Sequence, residues 1–429
     1  MSAFKLVTIG VFLLLIIGGV LVFARLGTSG NSGPGSQVVI WGTLPEVTIN
    51  NIIRDVNQKS AVINATYAQI DPANFDTILV NALAEGKGPD VVLIPESEIA
   101  KDQNKLFTIP FTSYPERTFK DTFVSEGELF LTANGVLGIP FSIDPLVMYW
   151  NRDIFSSAGL ANPPAYWSDI PAIAPKIIQI DQASHIKQSL ISFGETANVT
   201  HAKEILAALF LQSGNPIVIR DAQSGSLVSV LDQKNDTTGA TAGSVIDFYT
   251  QFADPTNKFY SWSRSLPASK DDFLAGNLAL YVGYASEASD LQAKNPNLNF
   301  DVAPLPQPSP SANKITYGKL SAFAITKSSK NIAGSLSTIF ALTSPASITT
   351  LTNTLNLPPV RRDLLAQNPG NANLTVFYQS ALQSRGWYDP DPAKSDDIFQ
   401  TMIQSVSTNS RHSSEAAADA RAEIQDLLK

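Results

Sequence analysis

The sequence predicts an α/β fold built on a mainly parallel sheet. Three observations carry that expectation. Short apolar runs of strand length alternate with segments whose apolar residues recur at helical spacing. A chain of 429 residues, 44% hydrophobic and 16% charged, has material for two or three domains with buried cores. No unit of 20–50 residues recurs, which argues against solenoids and propellers.

The chain opens on "MSAFKLVTIGVFLLLIIGGVLVFARLGTSGNSGPGSQ", where Leu6 to Ala24 is a run of 19 residues without charge. That is close to the ~20 residues of a spanning helix. A cleaved signal peptide has a shorter apolar core, about 7–15 residues, and a small-residue cleavage site, which Val22–Ala24 could supply. The length of the run favours an uncleaved anchor over residues 1–24, followed by a flexible linker over 25–37. Both readings export the body.

Val38–Trp41 then reads as a short buried strand. Val47, Ile49, Ile52, Ile53 and Val56 follow at near-helical spacing. A second strand around "AVINATYAQI" leads to Asp71-Pro72, an N-cap with proline at the first helical position. Phe75, Ile78, Leu79, Ala82 and Leu83 predict one buried helical face, and Gly86 and Gly88 stop that helix. "DVVLI" is a fully apolar strand. In "GIPFSIDPLVMYWNRDIF", Pro145 cannot donate to a sheet ladder and predicts an edge or a bend beside Asp144. Helical or helix–strand patterns continue through "THAKEILAALFLQSG", "TAGSVIDFYTQFA" and "SKDDFLAGNLALYVGY". "PLPQPSPSANK" reads as a surface loop, and "SSEAAADARAEIQDLLK" as an amphipathic helix.

Composition excludes several function classes. With no cysteine there are no disulfides, thiolate metal sites, cysteine nucleophiles or lipid-modified cysteine. The net charge of −8 argues against nucleic acid and anionic lipid as electrostatic partners. His185, His201 and His412 show no ligand spacing, so surface or structural roles are expected for them and neither a metal nor a cofactor is expected. Nucleophile-elbow, Walker and dinucleotide patterns are absent.

Five stretches occur in a fixed order: "AEGKGPDVVLI", "GIPFSIDPLVMYWNRDIFSSAGLANPPAYWSDI", "FLAGNLALYVGY", "FDVAPLP" and "YGKLSAFAITKSSKN" with "IFALTSP". The chain thereby resembles the extracellular solute-binding proteins of ABC importers, the group that includes maltose-binding protein. The resemblance implies a two-lobed periplasmic-binding-protein fold of type II with an interlobe hinge, preceded here by the N-terminal transmembrane helix. It maps lobe 1 to about 38–142 with 320–370, and lobe 2 to about 145–316 with 375–429. "GIPFSIDPLVMYWN" would be the first crossover, with Asp144 at the cleft floor.

Candidate ligand-binding residues follow, each with a plainer alternative. Asp144 either accepts hydroxyl hydrogen bonds from a ligand or caps a turn before Pro145. Trp41, ending its strand at a Gly42-Thr43 turn, lies where ligands bind in open α/β sheets, or else packs beneath the first helix. Glu96 and Ser97 hold the equivalent place after "DVVLIP", or form a solvated loop. Tyr284, Tyr317 and Gly318 match cleft-lining positions of the family, although tyrosine and alanine stand here where many relatives have tryptophan. Trp387 and Phe399 are aromatic walls or core residues. The resulting expectation is a membrane-anchored, extracytoplasmic receptor, monomeric and not an enzyme, which passes a sugar or oligosaccharide to ABC permease subunits. A surface glycan-processing enzyme and a surface protein that kept the fold without transport are the alternatives.

Overall fold

The computed structural model describes residues 37–235 and 239–429. The apolar segment 1–24 lies outside the described residues. Among the described residues no single helix is long and apolar enough to cross a membrane.

Strand β1 (Gln37–Gly42) pairs in parallel with β2 (Asn64–Gln69) and β3 (Val91–Pro95). Helix α1 (Glu46–Lys59) covers them with Ile49, Ile52, Ile53 and Val56. Val47 is 76% exposed, because it stands in the first turn, off the apolar stripe. The Asp71 side chain accepts the Ala73 N–H at 3.2 Å and Pro72 starts a 3₁₀ turn, as that dipeptide predicts. Helix α2 (Phe75–Ala84) follows. It buries only Phe75 and Leu79, while Ile78 is exposed and Ala82 and Leu83 are half-buried. The helix meets its lobe along one i, i+4 ridge rather than the broader face that its spacing suggests.

Two long strands join this layer to the next. Strand β4 (Ile139–Asn151) runs thirteen residues without a break. Its first half pairs antiparallel with the strand Thr316–Ile325, and its second half with β6 (Leu278–Tyr284) and β7 (Phe300–Ala303). Beyond β6 lies β5 (Ile186–Ile191), in parallel. Thr316–Ile325 is β8, which also pairs antiparallel with β3. The path is therefore β2-β1-β3-β8-β4-β6-β5, a mixed sheet rather than a mainly parallel one. The difference arises because β4 crosses between layers and β8 returns, each antiparallel to its neighbours.

The expected bend at Pro145 is also absent. Pro140 pairs opposite Ala322 where the register shifts, and Pro145 opposite Gly318 where β4 changes partners. A proline at such a switch removes no ladder bond, and the Pro145 carbonyl accepts the Ala285 N–H at 3.0 Å.

Two separate hydrophobic cores result. One gathers Val38, Leu93, Phe141, Ile143 and Leu320. The other gathers Leu146, Tyr149, Phe193, Phe210 and Ile424. The change falls at Asp144 and Pro145, so the crossing strands separate two lobes. Second-lobe helices include α3 (Ala202–Gln212), α4 (Ala242–Thr250) and α5 (Glu287–Lys294). After the short strand β9 (Ser384–Arg385) come α6 (Pro392–Ser407) and α7 (Ser413–Leu427). In α7 the buried ridge is Ala416, Ala417, Ala420 and Ile424, the stripe of an amphipathic helix.

Candidate functional site

The carboxyl ends of β1 and β3 lie side by side, since the strands are parallel and Gly42 pairs with Leu93. Trp41 is half-buried against the first core, and Thr43 is half-buried in the turn beyond. Gly42 is set by close approach: a Cβ there would stand 2.8 Å from Tyr67 Oη and 2.9 Å from Leu93 Cβ. After β3, Glu96 and Ser97 enter a 3₁₀ turn, with Glu96 buried and Ser97 half-buried.

Glu96 reaches back to β8. Its Oε1 accepts the Tyr317 O–H at 3.1 Å, and its Oε2 accepts the Leu320 N–H at 2.8 Å. Glu126, on the 3₁₀ turn Ser125–Phe130, approaches the same place and is 1% exposed. Its carboxyl lies against Gly318, where a side chain would collide with it, and 3.3 Å from where a Cβ on Gly386 would stand. Both Glu126 oxygens are buried without a hydrogen-bond partner. Burial pushes both carboxyls above the ordinary glutamate value. The Tyr317 and Leu320 donors and the Lys319 charge pull Glu96 back, whereas the Glu96 charge pushes Glu126 further up.

Asp144 sits where β4 changes lobes, paired with Lys319. Its Oδ1 accepts the Ser286 N–H at 3.0 Å, which ties the crossing strand to the turn after β6. Burial lifts Asp144 to about 6, against the lowering influence of Ser286 and Lys319. Tyr284 ends β6 opposite Leu146, and its carbonyl accepts the Tyr149 O–H at 2.6 Å. Burial pushes the Tyr284 and Tyr317 phenols well above their usual range, so both remain donors.

The second lobe adds residues that sequence reading did not select. His201 starts α3 in left-handed backbone, φ 62°, and its ring stands 4.7 Å from the Tyr284 ring, edge to face. Its Nε2 lies 2.7 Å from Glu287 Oε1. Glu287 also accepts the Tyr281 O–H at 2.8 Å and the Tyr284 N–H at 2.9 Å, and pairs with Lys270 at 2.8 Å. Burial alone would raise Glu287. The bond and charge of His201, with Lys270 and the Tyr284 N–H, outweigh it and hold the carboxyl at about 2.

Beside His201 opens a polar cavity of about 430 Å³, bounded by Thr196, Glu204, Asp396, Phe399 and Gln400. Phe399 supplies its apolar edge. Otherwise Phe399 and Trp387 are core side chains, their rings 5.9 Å apart and Phe399 6.0 Å from Phe210. A larger cavity of about 500 Å³, between Trp167, Phe248 and Pro308, contains none of the converging polar groups.

The structure thus brings Glu96, Asp144, Tyr284, Tyr317 and Gly318 to one crossing, with Trp41, Gly42, Thr43 and Ser97 at the adjacent strand ends. It keeps Trp387 in the core. A signal for Glu287 was available, as an acid one turn beyond a buried strand in "YVGYASE". His201 and Glu126 carry none, because their partners lie far away in sequence. Among the described residues no group of three or more acids or histidines is placed to hold a metal ion.

Comparison with known proteins agrees with this architecture. A cyclo/maltodextrin-binding protein complexed with maltotetraose superposes with a TM-score of 0.73 at 17% identity, over 93% of this chain and 99% of that one. An ABC transporter solute-binding protein from Thermotoga lettingae TMO, bound with α-D-tagatose, superposes with a TM-score of 0.63 at 19% identity, over 92% and 100% of the chains. At these identities the likeness concerns the two-lobed, mixed α/β fold. A protein of Brucella abortus (strain 2308), named as a binding protein, is 22% identical over 257 residues. That match covers 59% of this chain and 58% of the relative, so the chain spans little more than half the length of the curated relatives it matches. The model of the bacterial extracellular solute-binding protein family matches residues 67–377, which include both crossing strands with Glu96, Asp144, Tyr284, Tyr317 and Gly318. The chain belongs to the bacterial extracellular solute-binding protein family.

Proposed function

We propose that the protein is an extracytoplasmic receptor that captures a sugar or oligosaccharide between its lobes and delivers it to an ABC transporter permease. The observation that carries this reading is the meeting of Glu96, Asp144, Tyr284 and Tyr317, drawn from both lobes, at the strands that join them. Carboxylates accept and phenols donate or accept hydrogen bonds, which matches a ligand rich in hydroxyls. The structural relatives named for maltotetraose and α-D-tagatose support the same ligand class.

In this proposal Trp41, Gly42, Thr43, Glu96, Ser97, Asp144, Tyr284, Tyr317 and Gly318 line the cleft, and His201 and Glu204 extend it into the polar cavity. Trp387 and Phe399 back it from the second core. The lobes are residues 38–142 with 320–370, and 145–316 with 375–429, moving about β4 and β8. Closure is favoured only to the extent that the ligand binds the closed form better than the open one. Residues 1–24 hold the monomeric receptor at the outer face of the membrane, and it binds without catalysing a reaction.

Isothermal titration of the purified chain with maltotetraose and with D-tagatose tests this, with a polyamine as control. Saturable binding of a sugar without turnover is expected. A ligand at 100 times its dissociation constant should add about 2.7 kcal/mol to stability. Asp144→Ala should weaken sugar binding about ten- to a hundredfold, the equivalent of about one charge-assisted hydrogen bond. Turnover of the sugar, or saturation by the polyamine alone, overturns the proposal.

A further inference from the structure

Glu126 has no evident part in gripping a ligand, yet it is the most thoroughly enclosed acid near the crossing. It lies in the first lobe, at 1% exposure, with two oxygens that meet no donor. The glycines that enclose it belong to both returning segments: Gly318 to β8, and Gly386 to the chain just after β9. Glu96 approaches the same face of Gly386, its Cγ 3.5 Å from where a Cβ would stand, while Glu126 Oε1 is 3.3 Å from that point. The Glu96 carboxyl bonds Tyr317 and Leu320 on either side of Gly318, the residue against which Glu126 Oε2 lies, so both carboxyls meet the same buried stretch of β8.

Charge accounting decides how such a site can exist. Tyr317 of β8 donates to Glu96, while the charges of exposed Lys319 on β8 and of Arg385 on β9 act on Glu96 and Glu126 without an ion pair. The Tyr284 phenol on β6 and Glu204 on α3 act on Tyr317 together with the pair, and Asp144 on β4 acts on Tyr284. On the neighbouring turns, Lys101 pairs with Asp76, and Lys120 with Glu116 and Glu128. Arg362 donates to the Lys120 and Phe123 carbonyls and to Ser125. Among the described residues, no cation forms an ion pair with Glu96 or Glu126. Two ionised carboxylates in one desolvated site repel, and the usual resolution is a single proton held between them. Glu96, which already accepts two hydrogen bonds, is suited to be the ionised member. Glu126, which accepts none, is suited to be the neutral one, and a neutral carboxyl carries an O–H that Glu96 can accept.

We propose that Glu96 and Glu126 share one proton beneath the returning crossovers, and that this carboxyl pair is a pH-dependent lock on the angle between the lobes. With the proton in place, the pair carries one charge, and Glu96 anchors Tyr317 and Leu320 of β8 to the first lobe. When pH rises, Glu126 releases the proton to solvent, two like charges face each other, and the turns Glu96–Glu98 and Ser125–Phe130 that carry them are driven apart beneath Gly318 and Gly386, which loosens the first lobe's hold on both returning segments. The receptor is then held tightly in mild acid and loosened in alkali.

The test needs no ligand, so it stands or falls apart from the sugar-receptor reading. Infrared difference spectra of the full chain in detergent, at about neutral pH, are compared between wild type and Glu126→Gln. The expected result is a protonated-carboxyl band in wild type that is lost in the variant. Small-angle scattering between about pH 5 and pH 9 should show wild type expanding as pH rises and Glu126→Gln remaining at one radius. If Glu126→Gln does not fold, the infrared titration of wild type alone still decides: a protonated-carboxyl band that disappears over the same interval as the expansion supports the lock. Absence of any protonated carboxyl at neutral pH, or an undiminished expansion in Glu126→Gln, overturns it.

Discussion

Glu287 and the pair Glu96–Glu126 are buried glutamates on opposite sides of one strand crossing, and their surroundings drive them in opposite directions. Glu287 receives His201, Lys270, Tyr281 O–H and Tyr284 N–H, and is held at about 2. Glu96 receives two neutral donors and Glu126 none, and both are raised. Burial acts on all three with the same sign. What separates them is whether donors and cations reach the carboxyl, so the second-lobe side is a fixed anion and the first-lobe side a titratable one.

Breaking the fixed side should produce the largest effect. Glu287→Ala leaves the His201 ring, the Tyr281 O–H and the Tyr284 N–H without this acceptor, and Lys270 with Asp290 alone. It should cost about 3–5 kcal/mol in urea melts at neutral pH, the range for one partner removed from a buried ion pair. A loss below about 1 kcal/mol would mean that solvent replaces Glu287 freely.

The pH profile sharpens the comparison further. A depressed carboxyl contributes stability that is present above its ordinary value of 4.5 and lost as pH falls towards about 2. That limb amounts to about 3 kcal/mol and should flatten in Glu287→Gln. A raised carboxyl has the opposite sign: stability is greatest below the ordinary value and declines as pH rises through the folded one. Glu126→Gln should therefore flatten the limb above 4.5 and leave the acid limb intact. Melts in which both variants change the same limb would remove the distinction between the two sides.

A smaller effect isolates the first lobe. Gly42→Ala forces a methyl against Tyr67 and Leu93 and should cost about 1–3 kcal/mol. Hydrogen exchange should quicken in β1 and β2 and stay unchanged in β5 and β6. The smallest expected effect bridges the lobes. Arg220, from the second-lobe strand Val218–Arg220, donates to Gln103 at 3.3 Å and stacks on Tyr388 at 5.1 Å. Arg220→Ala should change stability by no more than about 1 kcal/mol. Its visible consequence should be a larger radius in scattering, and an unchanged radius would leave this contact without a part in holding the lobes.

Local order was legible in the sequence wherever a residue's neighbours along the chain determine its environment. Asp71-Pro72 opens a helix because the cap bond spans two residues, and Ala416 to Ile424 face inward because helical periodicity places them on one side. The alternation of strands and helices follows from the same short-range information, whereas the crossing at Asp144 was expected only from the resemblance to the family. The tertiary structure alone decided what depends on distant partners. Pro145 lies within an unbroken strand because it falls where β4 exchanges β8 for β6. Val47 and Ile78 are exposed because no second element covers them. Glu96 meets Tyr317 across 221 positions, and His201 meets Glu287 across 86. A carboxyl's charge state depends on desolvation and on the few donors within hydrogen-bond reach, and neither exists until the two lobes have folded around it.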